Sequence, residues 1–137
     1  MADFDDDGDV DLAVVHQNNP MALLRNDSRR GHWLKLQFVG RQSNRNAIGV
    51  RVTVHNDNAH LLQELAGGTS YCAAHQPILV YGLGESAAPC RIEIHWPNGA
   101  SQTFDEVPVD QTILIQEPLD AGTRRVIGGP AMESDDE

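Results

Sequence analysis

The sequence predicts an all-β protein: a β-sandwich of about seven to eight mostly antiparallel strands with an N-terminal β-hairpin that carries a calcium-type loop. Three observations predict this fold class. Apolar and polar residues alternate with a period of two, and clusters of Gly, Asn, Asp and Pro separate the alternating segments. In addition, no segment repeats its apolar residues at the period of an amphipathic helix. A chain of 137 residues can bury one core and a small appendage.

The first segment has aspartates at the spacing of a calcium-binding loop. Residues 3–11 have the sequence DFDDDGDVD, which puts carboxylates at loop positions 1, 3, 5 and 9 and a glycine at position 6. Ca²⁺ takes about six to eight oxygen ligands, and glycine allows the sharp turn between them. The predicted Ca²⁺ ligands are the side chains of Asp3, Asp5, Asp7 and Asp11 and the backbone carbonyl of Asp9.

This loop has two alternative interpretations. A block of like charges is usually solvated and disordered, but the regular spacing around one glycine disfavours that interpretation. An EF-hand needs a bidentate Glu at position 12 and a following helix, whereas this chain has Val14 there, within the strand-like run Leu12–Val15. The loop is therefore expected to lie between β-strands.

Two short apolar runs, Leu12–His16 and Met21–Leu24, predict the hairpin around turn residues 18–20. An isolated two-stranded hairpin is marginally stable, so it must pack on the main domain or on sequence outside this chain. A β-sheet calcium loop normally connects two strands, and this one begins at Asp3. We therefore expect the chain to be a piece of a longer protein.

The main domain is predicted from six segments with the pattern of strands. Four segments alternate between apolar and polar residues: Trp33–Val39, Ile48–His55, Arg91–Trp96 and Thr112–Gln116. Ile78–Tyr81 is a continuous apolar run of strand length. His60–Leu65 is ambiguous, but its flanking residues favour a strand. The turn 97–99 (Pro-Asn-Gly) predicts a hairpin over residues 92–104. The residues that share a phase are expected to form the core: Leu34, Leu36, Phe38, Ile48, Val50, Val52, Val54, Ile92, Ile94, Ile113 and Ile115.

The charge distribution disfavours a polyanionic partner. The formal net charge is −10, but six acids and no base lie in residues 1–11, and four acids and no base lie in residues 133–137. The sequence between them is neutral, with scattered basic residues, whereas nucleic acids and anionic lipids require clustered Lys and Arg. No nucleic-acid binding is predicted. The apolar runs are too short to cross a bilayer, so no membrane span is predicted either.

No catalytic site is predicted, and the protein is predicted not to be an enzyme. The six histidines lack metal-ligand spacing, Ser70 lacks the frame of a hydrolase elbow, and residues 82–84 (Gly-Leu-Gly) lack the third glycine and helix of a nucleotide loop. Three glutamates could form a glycosidase-type pair, and four aromatic residues could bind sugar, although core or sheet-edge positions are favoured for the aromatics. These candidates are Glu64, Glu85 and Glu93, and Trp33, Tyr71, Tyr81 and Trp96.

Two cysteines, Cys72 and Cys90, allow one disulfide at most. The sequence does not place their Cα atoms within bonding reach, so two free buried thiols remain the alternative.

Several motifs resemble known families. The acidic loop followed by Leu23-Leu24-Arg25-Asn26 resembles the end of an FG-GAP/VCBS repeat, the calcium-loop blade of integrin-type β-propellers. Residues 31–117 resemble the ASPIC/UnbV domain, which follows such repeats in cartilage acidic proteins and many bacterial surface or secreted proteins. The matching stretches are residues 33–36 (WLKL), 44–52 (NRNAIGVRV), 81–84 (YGLG) and 95–99 (HWPNG). Residues 71–75 depart from the pattern, which leaves the role of that loop open.

The resemblance implies a domain organisation and a non-enzymatic function. Residues 1–27 would be the remnant of an FG-GAP/VCBS repeat, residues 31–117 the ASPIC/UnbV-like domain, and residues 118–137 a mostly disordered acidic tail. The chain is then expected to be a calcium-stabilised interaction or adhesion module, extracellular or in the cell envelope. Its partners would be an upstream propeller domain and a protein or glycan. The alternative function is an accessory ligand- or carbohydrate-binding domain of an enzyme.

Overall fold

A computed structural model describes residues 3–5, 7–27, 31–57, 59–68 and 76–119, and the backbone of Thr123–Val126. These residues contain β-strands and no helix. The ten strands are β1 (Leu12–Val14), β2 (Ala22–Leu24), β3 (His32–Val39), β4 (Arg51–Asn56), β5 (Ala59–Glu64), β6 (Ile78–Gly84), β7 (Cys90–His95), β8 (Ser101–Val107), β9 (Gln111–Gln116) and β10 (Thr123–Val126).

The strands form three sheets. β1 and β2 make a two-stranded antiparallel hairpin. A five-stranded sheet has the order β10-β8-β7-β4-β5, and a three-stranded sheet has the order β6-β3-β9. Neighbouring strands are antiparallel except for the parallel pairs β3–β9 and β8–β10. The prediction of an all-β, mostly antiparallel fold with an N-terminal hairpin is confirmed.

One apolar core lies between the two larger sheets. Nine of the eleven predicted core residues are buried, and Ile113 packs against them while partly exposed. A hydrogen bond joins the sheets: the Tyr81 hydroxyl on β6 donates to the Val52 carbonyl on β4 at 3.0 Å. Burial raises the pKa of Tyr81, so its hydroxyl remains a proton donor. The period-two pattern therefore identified the buried face correctly.

The prediction that Ile48 is a core residue is wrong, because its side chain is 43% exposed. The chain turns before β4 begins at Arg51, and the Asn44 side chain bonds both the N–H and the carbonyl of Ile48. Ala47 adopts a positive φ of 53° in this turn, and its side chain is buried instead. The alternating pattern extended backwards into a turn, where period two does not apply.

The β7–β8 hairpin has the predicted turn. The N–H of Gly99 donates to the Trp96 carbonyl, and the N–H of Trp96 donates to the Ala100 carbonyl. Gly99 has a φ of +90°, and the Asn98 side chain accepts a hydrogen bond from the N–H of Ala100 at 2.9 Å. This is the geometry of a three-residue hairpin loop with glycine at the left-handed position.

Some predictions fall outside the described residues. They include residues 69–75, with Ser70, Tyr71 and Cys72, and most of the tail after Leu119. Within that tail, β10 adds a parallel strand beside β8 that the sequence pattern did not indicate. Cys90 is a buried free cysteine, and burial raises the pKa of its thiol.

Candidate metal centre

Asp11 closes the acidic loop. It lies just before β1 and is 1% exposed. Its Oδ2 accepts a hydrogen bond from the N–H of Phe4 at 2.8 Å, and its Oδ1 accepts one from the N–H of Asn26 at 2.9 Å. The carboxylate therefore connects the beginning of the loop to the chain that follows β2.

Asp3 lies where the loop folds back on itself. It accepts hydrogen bonds from the N–H groups of Gly8, at 2.8 Å, and Asp7, at 3.2 Å, and it forms an ion pair with the Lys35 ammonium. Burial acts to raise the pKa of Asp3, but the Lys35 ammonium and the two N–H donors outweigh it and lower the pKa overall. Asp3 is thus held as a carboxylate.

Three of the predicted ligands lie together. One carboxylate oxygen from each of Asp3, Asp5 and Asp11 lies within 4.8 Å of the other two. Ca–O distances of about 2.3–2.6 Å allow two ligand oxygens to be separated by up to about 5 Å. Burial and then the charges of Asp7 and Asp11 raise the pKa of Asp5, as expected for a carboxylate among like charges.

The other two predicted ligands lie differently. The Asp7 Oδ1 accepts a hydrogen bond from the N–H of Asp9 at 2.9 Å, and neither carboxylate belongs to the group of three. The Oδ2 of Asp9 is buried without a hydrogen-bond partner among the described residues. Ligation by Asp7 and by the Asp9 carbonyl stays a prediction. The donor set itself fits Ca²⁺, because carboxylates are the hard oxygen ligands that this ion prefers.

Lys35 belongs to this candidate site, and the sequence pattern did not indicate it. It lies on β3 between the core residues Leu34 and Leu36, so alternation places it on the outer face of its sheet. It is nevertheless only 3% exposed. Its ammonium contacts Asp3 and lies 4.8 Å from the ring centroid of Trp33, within cation–π range. The acidic loop therefore covers the outer face of β3, which no local pattern could indicate.

Gly8 makes the close approach of the loop to β3 possible. Its φ is +101°, and a Cβ at this position would lie 2.3 Å from the Nε1 atom of Trp33. The glycine of the predicted metal loop thus has a packing role as well as a turning role. At the opposite rim, Arg25 forms ion pairs with Asp27 at 2.7 Å and with Asp5 at 3.6 Å.

The candidate sugar-binding aromatic residues lie in different surroundings. Trp96 and Tyr81 are core residues, and Trp33 packs against the acidic loop. This confirms the core interpretation for Tyr81 and Trp96. Trp33 lies on β3, the central strand of its sheet, and is partly exposed, so it is neither a core nor a sheet-edge residue. Tyr71 lies outside the described residues.

Two of the three candidate glutamates contact basic groups. Glu93 lies 2.9 Å from Arg91, and Glu64 lies 4.0 Å from Arg51. Glu85 lines an open cleft of about 450 Å³ beside the acidic loop, together with the His32–Asp110 pair, whose Nδ1 and Oδ2 atoms are 2.7 Å apart.

Comparison with known proteins assigns the main domain. The sequence profile of the ASPIC and UnbV family matches residues 40–121, which is more than half of the chain. The chain belongs to the ASPIC and UnbV family. The match covers β4 to β9 and leaves out the acidic loop, the β1–β2 hairpin, β3 and β10.

The chain is also similar to cartilage acidic protein 1 from several vertebrates. It is 31% identical to the human protein over 131 residues, which cover 90% of this chain and 19% of the relative. The mouse protein is 31% identical over 128 residues, covering 88% of this chain and 19% of the relative. In Xenopus tropicalis the identity is 28% over 105 residues, covering 72% and 16%. The chain therefore spans about a fifth of the length of these relatives.

The described part of the chain contains no helix that is long and apolar enough to span a membrane.

Proposed function

We propose that this chain is a non-enzymatic, calcium-stabilised interaction module, the C-terminal part of a larger secreted or surface protein that carries FG-GAP/VCBS-type propeller repeats. The observation that carries the proposal is the carboxylate group of Asp3, Asp5 and Asp11, which lies where the acidic loop contacts β3 through the Asp3–Lys35 ion pair. A cation bound there would remove the repulsion among the carboxylates and order the hairpin against the domain.

Exposed apolar residues support an upstream propeller as a partner. Seven of the eleven large exposed hydrophobics among the described residues lie on the acidic loop and the hairpin: Phe4, Val10, Leu12, Val15, Met21, Leu23 and Leu24. A two-stranded hairpin with this exposure resembles part of a sheet that continues elsewhere. The preceding repeat is the proposed partner on this side. We further propose a protein or glycan partner and an extracellular or cell-envelope location, and the similarity to cartilage acidic protein 1 supports the location.

Ca²⁺ binding must compete with Lys35 for Asp3, because the ammonium already neutralises that carboxylate. A hard divalent ion that shares or displaces this contact has to offset the lost ion pair, which weakens binding. We therefore expect a dissociation constant of about 10⁻⁴–10⁻³ M for this chain, the range of weak extracellular modules, and tighter binding in the intact propeller.

The test is calorimetric titration with CaCl₂. Asp5→Ala should abolish the response, because Asp5 belongs to the carboxylate group and its charge is the least neutralised by hydrogen bonds. Glu64→Gln removes one exposed carboxylate from β5 and should bind Ca²⁺ as the parent does. Mg²⁺ should compete poorly because it requires a tighter octahedron. Equal Ca²⁺ responses in the parent and Asp5→Ala would remove the loop from the proposal.

A further inference from the structure

The outer face of the five-stranded sheet carries a pair of histidines that the proposed function does not use. His55 on β4 and His60 on β5 are direct cross-strand partners. Their Nδ1 atoms are 2.6 Å apart, with ring centroids 4.8 Å apart and ring planes at 82°. Cross-strand partners have Cβ atoms about 4.5–5.5 Å apart, so the strand register itself brings the two imidazoles together.

A single proton must lie between the two Nδ1 atoms, because two N–H groups cannot face each other at this distance. The position of Glu93 on β7 favours His60 as the ring that carries it. Its Oε2 lies 3.4 Å from the Nε2 of His55, which favours a proton on that nitrogen and leaves a lone pair on the His55 Nδ1. The Nε2 of His55 is buried and makes no hydrogen bond of good geometry. His60 is therefore the donor in this pair, and the Nε2 of His55 lacks a good hydrogen-bond partner.

We propose that His55 and His60 bind a divalent first-row transition-metal ion such as Zn²⁺ through their two Nδ1 atoms. Metal–nitrogen bonds of about 2.0–2.1 Å in a tetrahedral arrangement need the nitrogens about 3.3 Å apart, which a small rotation of the exposed His60 ring provides. The proton on the His60 Nδ1 leaves to water while the Nε2 of that ring takes one up, so both ligands stay neutral. Water completes the coordination.

Glu93 then acts as the carboxylate that orients a metal-bound histidine. Metal on Nδ1 makes the Nε2–H of His55 a stronger donor, and the contact with Glu93 can close to a full hydrogen bond. Glu93 is itself held by Arg91 at 2.9 Å, which fixes the carboxylate but adds a positive charge nearby. Imidazole ligands favour Zn²⁺, Cu²⁺ and Ni²⁺ over Ca²⁺, so this site is chemically distinct from the carboxylate group of the loop.

The ion would stabilise the edge of the five-stranded sheet. β5 is the last strand in the order of the five-stranded sheet, and a bridge from His60 to His55 connects it to β4. An ion that binds the folded state alone raises the thermal midpoint in proportion to the logarithm of its concentration.

Calorimetric titration of the chain with ZnCl₂, together with thermal unfolding, tests the proposal. His60→Gln should weaken Zn²⁺ binding at least tenfold and remove the thermal shift, and Glu93→Gln should weaken it about tenfold. The matched control is His95→Gln. His95 is exposed on β7 and lies on the same outer face, so this variant should keep both the Zn²⁺ affinity and the Zn²⁺-dependent thermal shift of the parent. Asp5→Ala should also keep full Zn²⁺ binding.

Imidazole ¹⁵N chemical shifts give a second measurement. Zn²⁺ should move the Nδ1 resonances of His55 and His60 and leave that of His95 in place. Unchanged Zn²⁺ affinity in His60→Gln, or loss of Zn²⁺ binding in Asp5→Ala, would overturn the proposal.

Discussion

Glu117 is an almost fully buried carboxylate, and its hydrogen bonds explain why the fold retains it. Its Oε2 accepts hydrogen bonds from the N–H groups of Arg41, Gln42 and Ser43 at 2.6, 2.7 and 2.7 Å, and its Oε1 accepts one from the Ser43 hydroxyl at 2.6 Å. It follows β9 and holds the loop between β3 and β4. Burial acts to raise the pKa of Glu117, but these hydrogen bonds outweigh it and lower the pKa overall.

Glu117→Gln is therefore expected to destabilise the domain by about 1–3 kcal/mol at pH 7, because three N–H donors lose a charged acceptor. Because the pKa is lowered, the parent has this stabilisation in full above the ordinary glutamate pKa of 4.5. The parent loses it as the pH falls through the lower pKa that Glu117 has in the folded state. Urea unfolding between pH 7 and pH 3 should show the parent and the variant converging in acid. A constant difference over that range would contradict the role of the charge. Glu64→Gln, on the exposed β5 face, is the matched control.

Ile94 and Ile48 test the predicted core at single residues. Ile94 on β7 is 0% exposed, so Ile94→Ala leaves a cavity in the core and should lower the free energy of unfolding by about 2–5 kcal/mol. Ile48→Ala makes the same chemical change at an exposed turn position and should cost less than about 0.5 kcal/mol. Denaturant unfolding measures both. Similar losses in the two variants would mean that the turn before β4 is placed wrongly.

At the scale of the element, the β7–β8 hairpin depends on the conformation of one residue. Gly99 has a φ of +90° and open space where a Cβ would lie. Gly99→Val should therefore destabilise the domain by about 1–3 kcal/mol through backbone strain alone, since a β-branched residue rarely adopts positive φ. Gly82→Val on β6 is the control, because Gly82 also has open space but an ordinary φ. Thermal unfolding should separate the two variants, and an unchanged midpoint for Gly99→Val would argue against this turn.

At the scale of the whole molecule, the acidic loop docks on the sandwich through contacts around Trp33. Gly8→Ala would place a methyl group against the Trp33 ring and should undock the acidic loop. Trp33 fluorescence is then expected to shift to longer wavelength, while the buried Trp96 keeps its environment and the sandwich unfolds at a nearly unchanged midpoint. Gly68→Ala is the control for positive φ without a clash. A large fall in the midpoint together with the shift would mean that the hairpin and the sandwich fold as one unit.

The sequence by itself determined the local features of this protein. Period-two alternation gave the strands and nine buried core positions, since alternate side chains on a strand face opposite sides. The Pro-Asn-Gly segment gave the β7–β8 hairpin, because its glycine supplies the positive φ that the turn requires. The aspartate spacing indicated the loop in which Asp3, Asp5 and Asp11 lie together.

The tertiary structure alone decided which distant groups meet. Lys35 follows the pattern of a solvent-facing residue, and it is buried only because the acidic loop covers β3. Glu117 meets residues 41–43 across more than seventy positions of sequence, and His55 meets His60 and Glu93 because the strand order places β4 between β5 and β7. Alternation specifies the face on which a side chain lies but not what packs on that face. Those contacts depend on register and on the docking of separate elements, which no local pattern encodes.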